Sequence, residues 1–430
     1  MKQIISLSFV LASLVSAAQF RNVKIADEAD GRRPGDPSVI VNHRNPKNII
    51  AAADNDRVMY TLDGGESWTE ITLTSPLGVA GNSSMIIDAK GKIYTIHRSD
   101  SEGKGKGSQG WLDRLVCQRS EDFGKTWNEG SSLGASSTIK SDKQAIAVNA
   151  KKQILYATWT QSDQYFSQDP ACQSYIAFSS ATNAGNRWDK PVTISQTPGD
   201  CSNSGTSAAG ATPAVGVDGR IYVTWSNQGV IYFDRSYDEG KTWLSNDLAI
   251  AKQEGGWALQ IPGFGTTQNT PILMIDNSPG RYHGMLFLTY ADQRNGADDT
   301  DIWVHRSPRG GDSWTAPMRV NSDEPGKHQF CPSVAVDQTN GLLYVLYLDR
   351  RAHDDVQTDV YLAYSTDSGS SFKEVKISET PFDASETEFF EFTGISAHNG
   401  TIAAVWTRTD NGKVSVWASI IREAQLRALK

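Results

Sequence analysis

Six near-copies of one short pattern run through the chain: TLDGGESW (61–68), SEDFGKTW (120–127), ATNAGNRW (181–188), SYDEGKTW (236–243), SPRGGDSW (307–314) and STDSGSSF (365–372). Their glycines stand at 65, 124, 185, 240, 311 and 369, a repeat of roughly 60 residues. That period is long for helical repeats and fits one four-stranded sheet with generous loops. Residues 332–377 show the unit most cleanly. PSVAVD alternates and is β-branched, QTNG is a turn, LLYVLYLD and DVYLAYS are two further strands, and TDSGSS turns into SFKEVKI. We call these strands A, B, C and D. Helical periodicity is absent until IIREAQLRAL at the end of the chain.

The repeated pattern falls between strands C and D, where a hairpin turn is needed. Asp63, Asp122, Asp238 and Asp367 can accept hydrogen bonds from backbone N–H groups of that turn. The glycines can take positive φ, and Trp68, Trp127, Trp243 and Phe372 can fill the space between neighbouring sheets. Asn183 replaces the acid in the third copy and still accepts; Arg309 replaces it in the fifth and cannot. Acids spread over a whole ring read as structure rather than catalysis. After the sixth copy, GISAHN, TIAAVWTR and KVSVWASII supply strands A to C of a seventh sheet, and FRNVKI (20–25) can supply its fourth strand. The expectation is an all-β, seven-bladed β-propeller of four-stranded antiparallel blades, the last closed by the N-terminal strand. A six-bladed ring is the alternative.

The chain opens MKQIISLSFVLASLVSAAQF, with one Lys, a short apolar run and small residues, the layout of a secretory signal. Residues 1–18 are therefore read as a signal peptide, 19–422 as one propeller domain and 423–430 as a tail. The expected location is secreted or periplasmic, with no membrane span. A net charge of −8 without a basic stripe excludes a nucleic-acid partner. Four cysteines are too few for a disulfide scaffold, and Cys172 and Cys201 alone sit in loop-like sequence, which predicts one bridge between them. A monomer is expected.

In such a blade the A–B and C–D turns share one face, and the longer B–C and D–A connections share the other, where function usually resides. Two of these connections are related: YADQRNGADDTDIW (290–303) and YLDRRAHDDVQTDVY (347–361). Adjacent blades would bring Asp292, Arg294, Asp349, Arg350 and Arg351 near one another above the axis, as a clamp with acids for proton transfer. The same residues also read as ion pairs pinning long loops, or as oxygen ligands for calcium. No cofactor is otherwise called for. Further candidates are Arg33 and Asp36 before the first A strand, His97 and Arg98 ending a B strand, His328 and Gln329 before the sixth A strand, and Glu388 and Glu391 before the seventh. Trp111, Tyr165, Phe166 and Trp257 could stack on sugar rings or anchor loops.

The pattern Ser-x-Asp-x-Gly-x-x-Trp is similar to the Asp-box, or BNR repeat, of sialidases and related propellers, and its six copies cover nearly the whole chain after residue 18. In sialidases of that type three arginines hold the substrate carboxylate, a Tyr activated by a Glu is the nucleophile, and an Asp is the acid/base. Their first arginine belongs to a Phe-Arg-Ile-Pro motif; this chain has Gly35-Asp36-Pro37-Ser38 there, with Arg32 and Arg33 upstream. The resemblance implies a secreted glycoside hydrolase acting on an acidic or complex glycan, with Asp292, Asp349, Glu388 and Glu391 as catalytic candidates. Arg33, Asp36, Arg98, Arg294, His328, Arg350 and Arg351 are the binding candidates. The alternative is a non-catalytic propeller binding glycan or protein through the same face.

Overall fold

A computed structural model describes residues 20–29, 33–53, 56–105, 108, 110–383 and 393–429, apart from the side chains at 82 and 83. Seven antiparallel sheets stand in a ring. Their innermost strands are Ser38–Val41, Ala80–Ile87, Lys140–Asn149, Ala209–Val215, Ile272–Ile275, Gln329–Val336 and Thr393–His398. Each meets its neighbours around a common axis, and strands B, C and D follow outward in chain order in the first six blades. The seventh is closed from the other end of the chain. Val23–Asp27 pairs with Lys413–Arg422, Val23 opposite Ala418 and Asp27 opposite Ser415, so the closing strand begins three residues later than the sequence pattern places it. This ring leaves only short outer edges exposed. The tail forms a helix, Glu423–Ala428, whose buried Leu426 accepts a hydrogen bond from Tyr364 of blade six through its backbone carbonyl.

The repeated turns hold themselves as their composition requires, with one addition. In blade four Asp238 accepts the Thr242 N–H at 2.8 Å and its hydroxyl at 2.7 Å, and Asp63, Asp122 and Asp367 make the equivalent pair of bonds. The hydroxyl that opens the turn takes the glycine N–H in five copies, from Thr61, Ser120, Ser236, Ser307 and Ser365. The fifth turn therefore survives Arg309. The turns also lock the ring. The Trp243 ring meets Phe178 of the preceding blade edge-on, centroids 4.9 Å apart, and Trp314 meets Phe233 at 5.6 Å. Gly240 lies so close that a Cβ there would stand 2.2 Å from the Phe178 ring, at a φ of +87°.

On the opposite face a segment that reads as loop, 252–269, contains a hairpin, Ala258–Ile261 against Gly265–Gln268. It reaches from the blade four to five connection to blade six, where Phe264 packs on Phe330 with centroids 4.8 Å apart. A disulfide joins Cys172, in the B–C loop of blade three, to Cys201, in the connection to blade four, with Cα atoms 5.7 Å apart. It ties together two loops that would otherwise move independently, stabilising by about 3–4 kcal/mol on chain entropy. Cys117 and Cys331 are buried and stand outside this bridge.

Candidate functional site

The inner strands enclose an axial cavity of about 280 Å³ lined by residues from all seven blades. Its mouth on the long-loop face is shaped by irregular backbone. Four inner strands break register there, between Ala80 and Ser84, Asp142 and Ala145, Ala209 and Thr212, and Phe330 and Ser333. Each break carries one residue at positive φ: Gly81, Lys143, Gly210 and Cys331. Such bulges re-aim side chains. Gly81 also makes room for an arginine, because a Cβ there would stand 1.5 Å from the Arg98 guanidinium. Lys143 and Cys331 hold a conformation that glycine takes freely and they do not, a form of strain that gathers at binding sites.

At the bulge of blade three, buried Asp142 is the centre of a charged cluster. Arg98 donates to its Oδ1 at 2.9 Å, Lys143 Nζ lies 3.2 Å from its Oδ2, and the Tyr165 hydroxyl donates to Oδ2 at 3.1 Å. Lys143 also donates to Asn203 and sits 5.0 Å over the Trp257 ring. Tyr165 and Asn203 belong to the two loops joined by the disulfide, so that bond frames the cluster. Trp111 meets Tyr165 edge-on at 5.1 Å, and Tyr165 meets Phe166 at 4.4 Å, which gives the mouth an aromatic wall with Phe166 exposed. Burial alone would push the Asp142 carboxyl up, but Lys143 and Arg98 more than reverse it and hold it well below the usual range. Burial, reinforced by that carboxylate, pushes the Tyr165 phenol far up. At neutral pH Asp142 is therefore a carboxylate and Tyr165 a protonated phenol, beside Arg98 and Lys143.

The related pairs of blades five and six go elsewhere. Asp292 is fully buried and takes Arg294 Nε at 2.9 Å and Nη2 at 2.7 Å, while Nη2 also donates to Tyr290. The Tyr290 hydroxyl meets His305 Nε2 at 2.9 Å, and His305 Nδ1 meets the Thr315 carbonyl at 2.9 Å. The guanidinium lies 4.0 Å from the Trp303 ring centre. Blade six repeats the device: Arg351 on buried Asp349 at 2.8 Å, with Tyr347 and Glu374 beside it and the Tyr361 ring 4.4 Å below. Burial pushes Asp349 up to about 6, against the pull of Arg351. The expected convergence above the axis does not occur. Strand B of a radial blade presents its side chains to the neighbouring blades, so each pair lies in its own interblade cleft. Among the described residues no hydrogen bond or ion pair joins Asp292 or Arg294 to Asp349 or Arg351.

The remaining candidates scatter. Arg350 is buried beneath the hairpin rather than over the axis. It donates to the Pro262 carbonyl and to Thr358, between Phe264 and Phe330, and burial lowers its pKa to about 10. This makes Arg350 a latch for the hairpin and corrects its reading as a substrate clamp. His328 is buried with its Nδ1 3.0 Å from Thr300 Oγ1, and burial, with Arg350 nearby, lowers its pKa. His97 is buried against Gln118. Asp36 is buried beside Pro37 and Ser38 of the cavity wall, and Arg33 lies 3.8 Å from Glu28. Glu388 and Glu391 lie outside the described residues. Among the described residues no three His, Cys, Asp or Glu side chains stand together as a metal site requires.

Sequence reasoning named Arg98 and Tyr165 but passed over Asp142 and Lys143, the residues that join them. Their signal was present: in IKSDKQAIAVN a polar run heads a strand whose counterparts, such as SVIV, are apolar.

No known family profile matches the chain, and no curated protein sequence matches it. Solved structures do. The chain is similar to a mutant of the NanB sialidase from Streptococcus pneumoniae, with a TM-score of 0.51 and 8% identity over 95% of this chain and 96% of that one. It is also similar to a polysaccharide lyase, an ulvan lyase bound to a GlcA(1-4)Rha3S saccharide, with a TM-score of 0.55 and 13% identity over 94% and 96%. At these identities the likeness establishes a shared propeller fold.

Proposed function

We propose that this is an exported, sialidase-like propeller that binds an acidic glycan at its axial mouth and acts on its glycosidic bonds. The observation that carries the reading is the Arg98, Asp142, Lys143 and Tyr165 cluster at the open end of the axial cavity. Arg98 and Lys143 supply positive charge for a sugar carboxylate, and Trp111, Tyr165 and Phe166 supply faces for pyranose rings. A tyrosine hydroxyl donating to a carboxylate beside an arginine is also the combination that sialidase-type hydrolysis uses. On this reading Tyr165 attacks the anomeric carbon as the glycosidic C–O bond breaks, its proton passing through Asp142 to the departing aglycone oxygen, and water then cleaves the tyrosyl–glycosyl bond, giving one proton back to Tyr165 and its hydroxyl to the sugar. The Asp-rich turns are the Asp-boxes of this fold, and residues 1–18 are the export signal. The chain has no described helix long and apolar enough to cross a membrane.

A second reading, a binding propeller without turnover, is favoured by one observation. Asp142 is held strongly ionised and Tyr165 strongly protonated, which makes the first a weak base and the second a poor nucleophile. A screen of the purified protein against fluorogenic glycosides, a sialoside among them, and against a panel of acidic polysaccharides separates the two. Turnover that disappears in Tyr165→Phe while binding persists supports hydrolysis. Binding without turnover supports the second reading, and no binding to any acidic glycan refutes both.

A further inference from the structure

The cleft between blades four and five is a surface groove of about 340 Å³, and it differs from its counterpart in blade six in one respect that matters chemically. In both places an arginine lies over an aromatic ring and donates to a buried aspartate. In blade six a second carboxylate, Glu374, closes on Arg351 and a third, Asp323, stands 4.0 Å away. In blade five no second carboxylate among the described residues reaches Arg294. Its Nε and Nη2 are engaged by Asp292 and Tyr290, and no described acceptor meets Nη1. The side chain is 23% exposed and lines the groove.

The groove brings Lys252 and Glu254 to the same opening. Both are exposed, and neither makes an ion pair with a described residue. Glu254 is fixed at the rim by its backbone carbonyl, which accepts the Gln293 N–H at 3.0 Å. His305 and Tyr290 hold Arg294 from behind through the relay to the Thr315 carbonyl, so its orientation is set before any ligand arrives. A fixed guanidinium edge beside a free ammonium fits a carboxylate, and a free carboxylate at the rim accepts sugar hydroxyls. The buried charge of Asp292 is already matched by Arg294 and does not repel the ligand.

We infer that this flank groove is a second saccharide site, for a sugar bearing a carboxylate, with Arg294 and Lys252 on the carboxylate and Glu254 on its hydroxyls. It stands apart from the axial mouth and from any turnover there, and it suits a protein that holds one part of a long acidic chain while engaging another.

The test titrates glucuronate into the purified protein by calorimetry, with glucose as the neutral control, in wild type, Lys252→Ala and Arg98→Ala. Lys252 is exposed and outside the core, so its removal leaves the fold intact. Binding of glucuronate that persists in Arg98→Ala, weakens about tenfold in Lys252→Ala and is absent for glucose supports the groove. A crystal soaked with glucuronate should place the carboxylate at Arg294 Nη1. Glucuronate binding that vanishes in Arg98→Ala, is unchanged in Lys252→Ala or is matched by glucose overturns it. Failure of the axial reading has a different signature, identical titrations of wild type and Arg98→Ala.

Discussion

Asp234 gives the sharpest energetic prediction. It sits fully buried in strand Val230–Ser236 of blade four, where Oδ1 accepts the N–H groups of Arg235 at 2.6 Å and Leu244 at 2.9 Å. Its Oδ2 has no hydrogen-bond partner among the described residues, and neither has Oδ1 of Asp247, whose carboxylate adds to the pressure on Asp234. Burial pushes Asp234 up from 3.8 to about 7, against the two backbone bonds. A carboxyl whose folded pKa is raised contributes stability that is fully present below its unfolded pKa and is lost as pH rises through the folded one. The window is therefore between about pH 4 and pH 7, and the shift corresponds to about 4 kcal/mol.

Asp234→Asn keeps an oxygen for both backbone N–H groups while removing the ionisation. The variant should match wild type near pH 4 and exceed it increasingly up to pH 7, with a plateau above. For a domain of this size 4 kcal/mol corresponds to about 5 °C in Tm. Calorimetric melts of both proteins from pH 4 to pH 8.5 measure the difference directly, and the subtraction cancels every other titrating group. Asp247→Asn should move stability in the same direction, because it removes the repulsion that helps keep Asp234 protonated. A difference that is flat with pH, or a variant less stable than wild type at pH 8, would refute the reasoning.

Arg351→Met should destabilise the fold by about 3–5 kcal/mol in denaturant titrations, because it strands the buried Asp349 charge, and Asp349→Leu in the same chain should restore much of the loss. A clamp whose only role was to hold substrate would show neither effect. Gly240→Ala should cost at least 2 kcal/mol by thermal melting, since both its φ of +87° and the Phe178 ring oppose a Cβ. Replacing Cys172 and Cys201 by alanine should lower stability by about 3–4 kcal/mol. It should also weaken glycan binding at the axial mouth, as both Tyr165 and Asn203 lose their frame.

The architecture was legible because one turn recurs with its glycine and aromatic in register, and because a seventh A–B–C set with no turn calls for a strand from elsewhere. The placement of the long loops followed from strand order alone. The position of the charged pairs did not follow. The motif Tyr-x-Asp-x-Arg in 347–351 gives neighbours along one strand, and Tyr347, Asp349 and Arg351 do meet. What the spacing does not carry is the direction of that face, which blade geometry turns toward the preceding blade. Arg350, one residue out of phase, points to the other side and meets the hairpin instead. The hairpin itself was hidden because WALQIPGFGTTQ carries no charge to mark an exposed strand pair; its first strand buries Leu259 and Ile261 on one face, and its second buries the consecutive Thr267 and Gln268.

The same geometry explains why the axial cluster depends on irregularity. Only strand A and the loops reach the axis, and a regular A strand would alternate its side chains between the two neighbouring blades. The bulge between Asp142 and Ala145 breaks that alternation, and the positive φ of Lys143 lets consecutive side chains serve one site. Lys143→Gly therefore separates two contributions. It relieves the backbone strain but deletes the amine beside buried Asp142, so stability should fall by less than in Lys143→Ala, which loses the amine and keeps the strain, while acidic glycan binding falls equally in both. If binding survives that change, the positive charge at the mouth rests with Arg98 alone, and the bulge matters only for placing Asp142 under Tyr165.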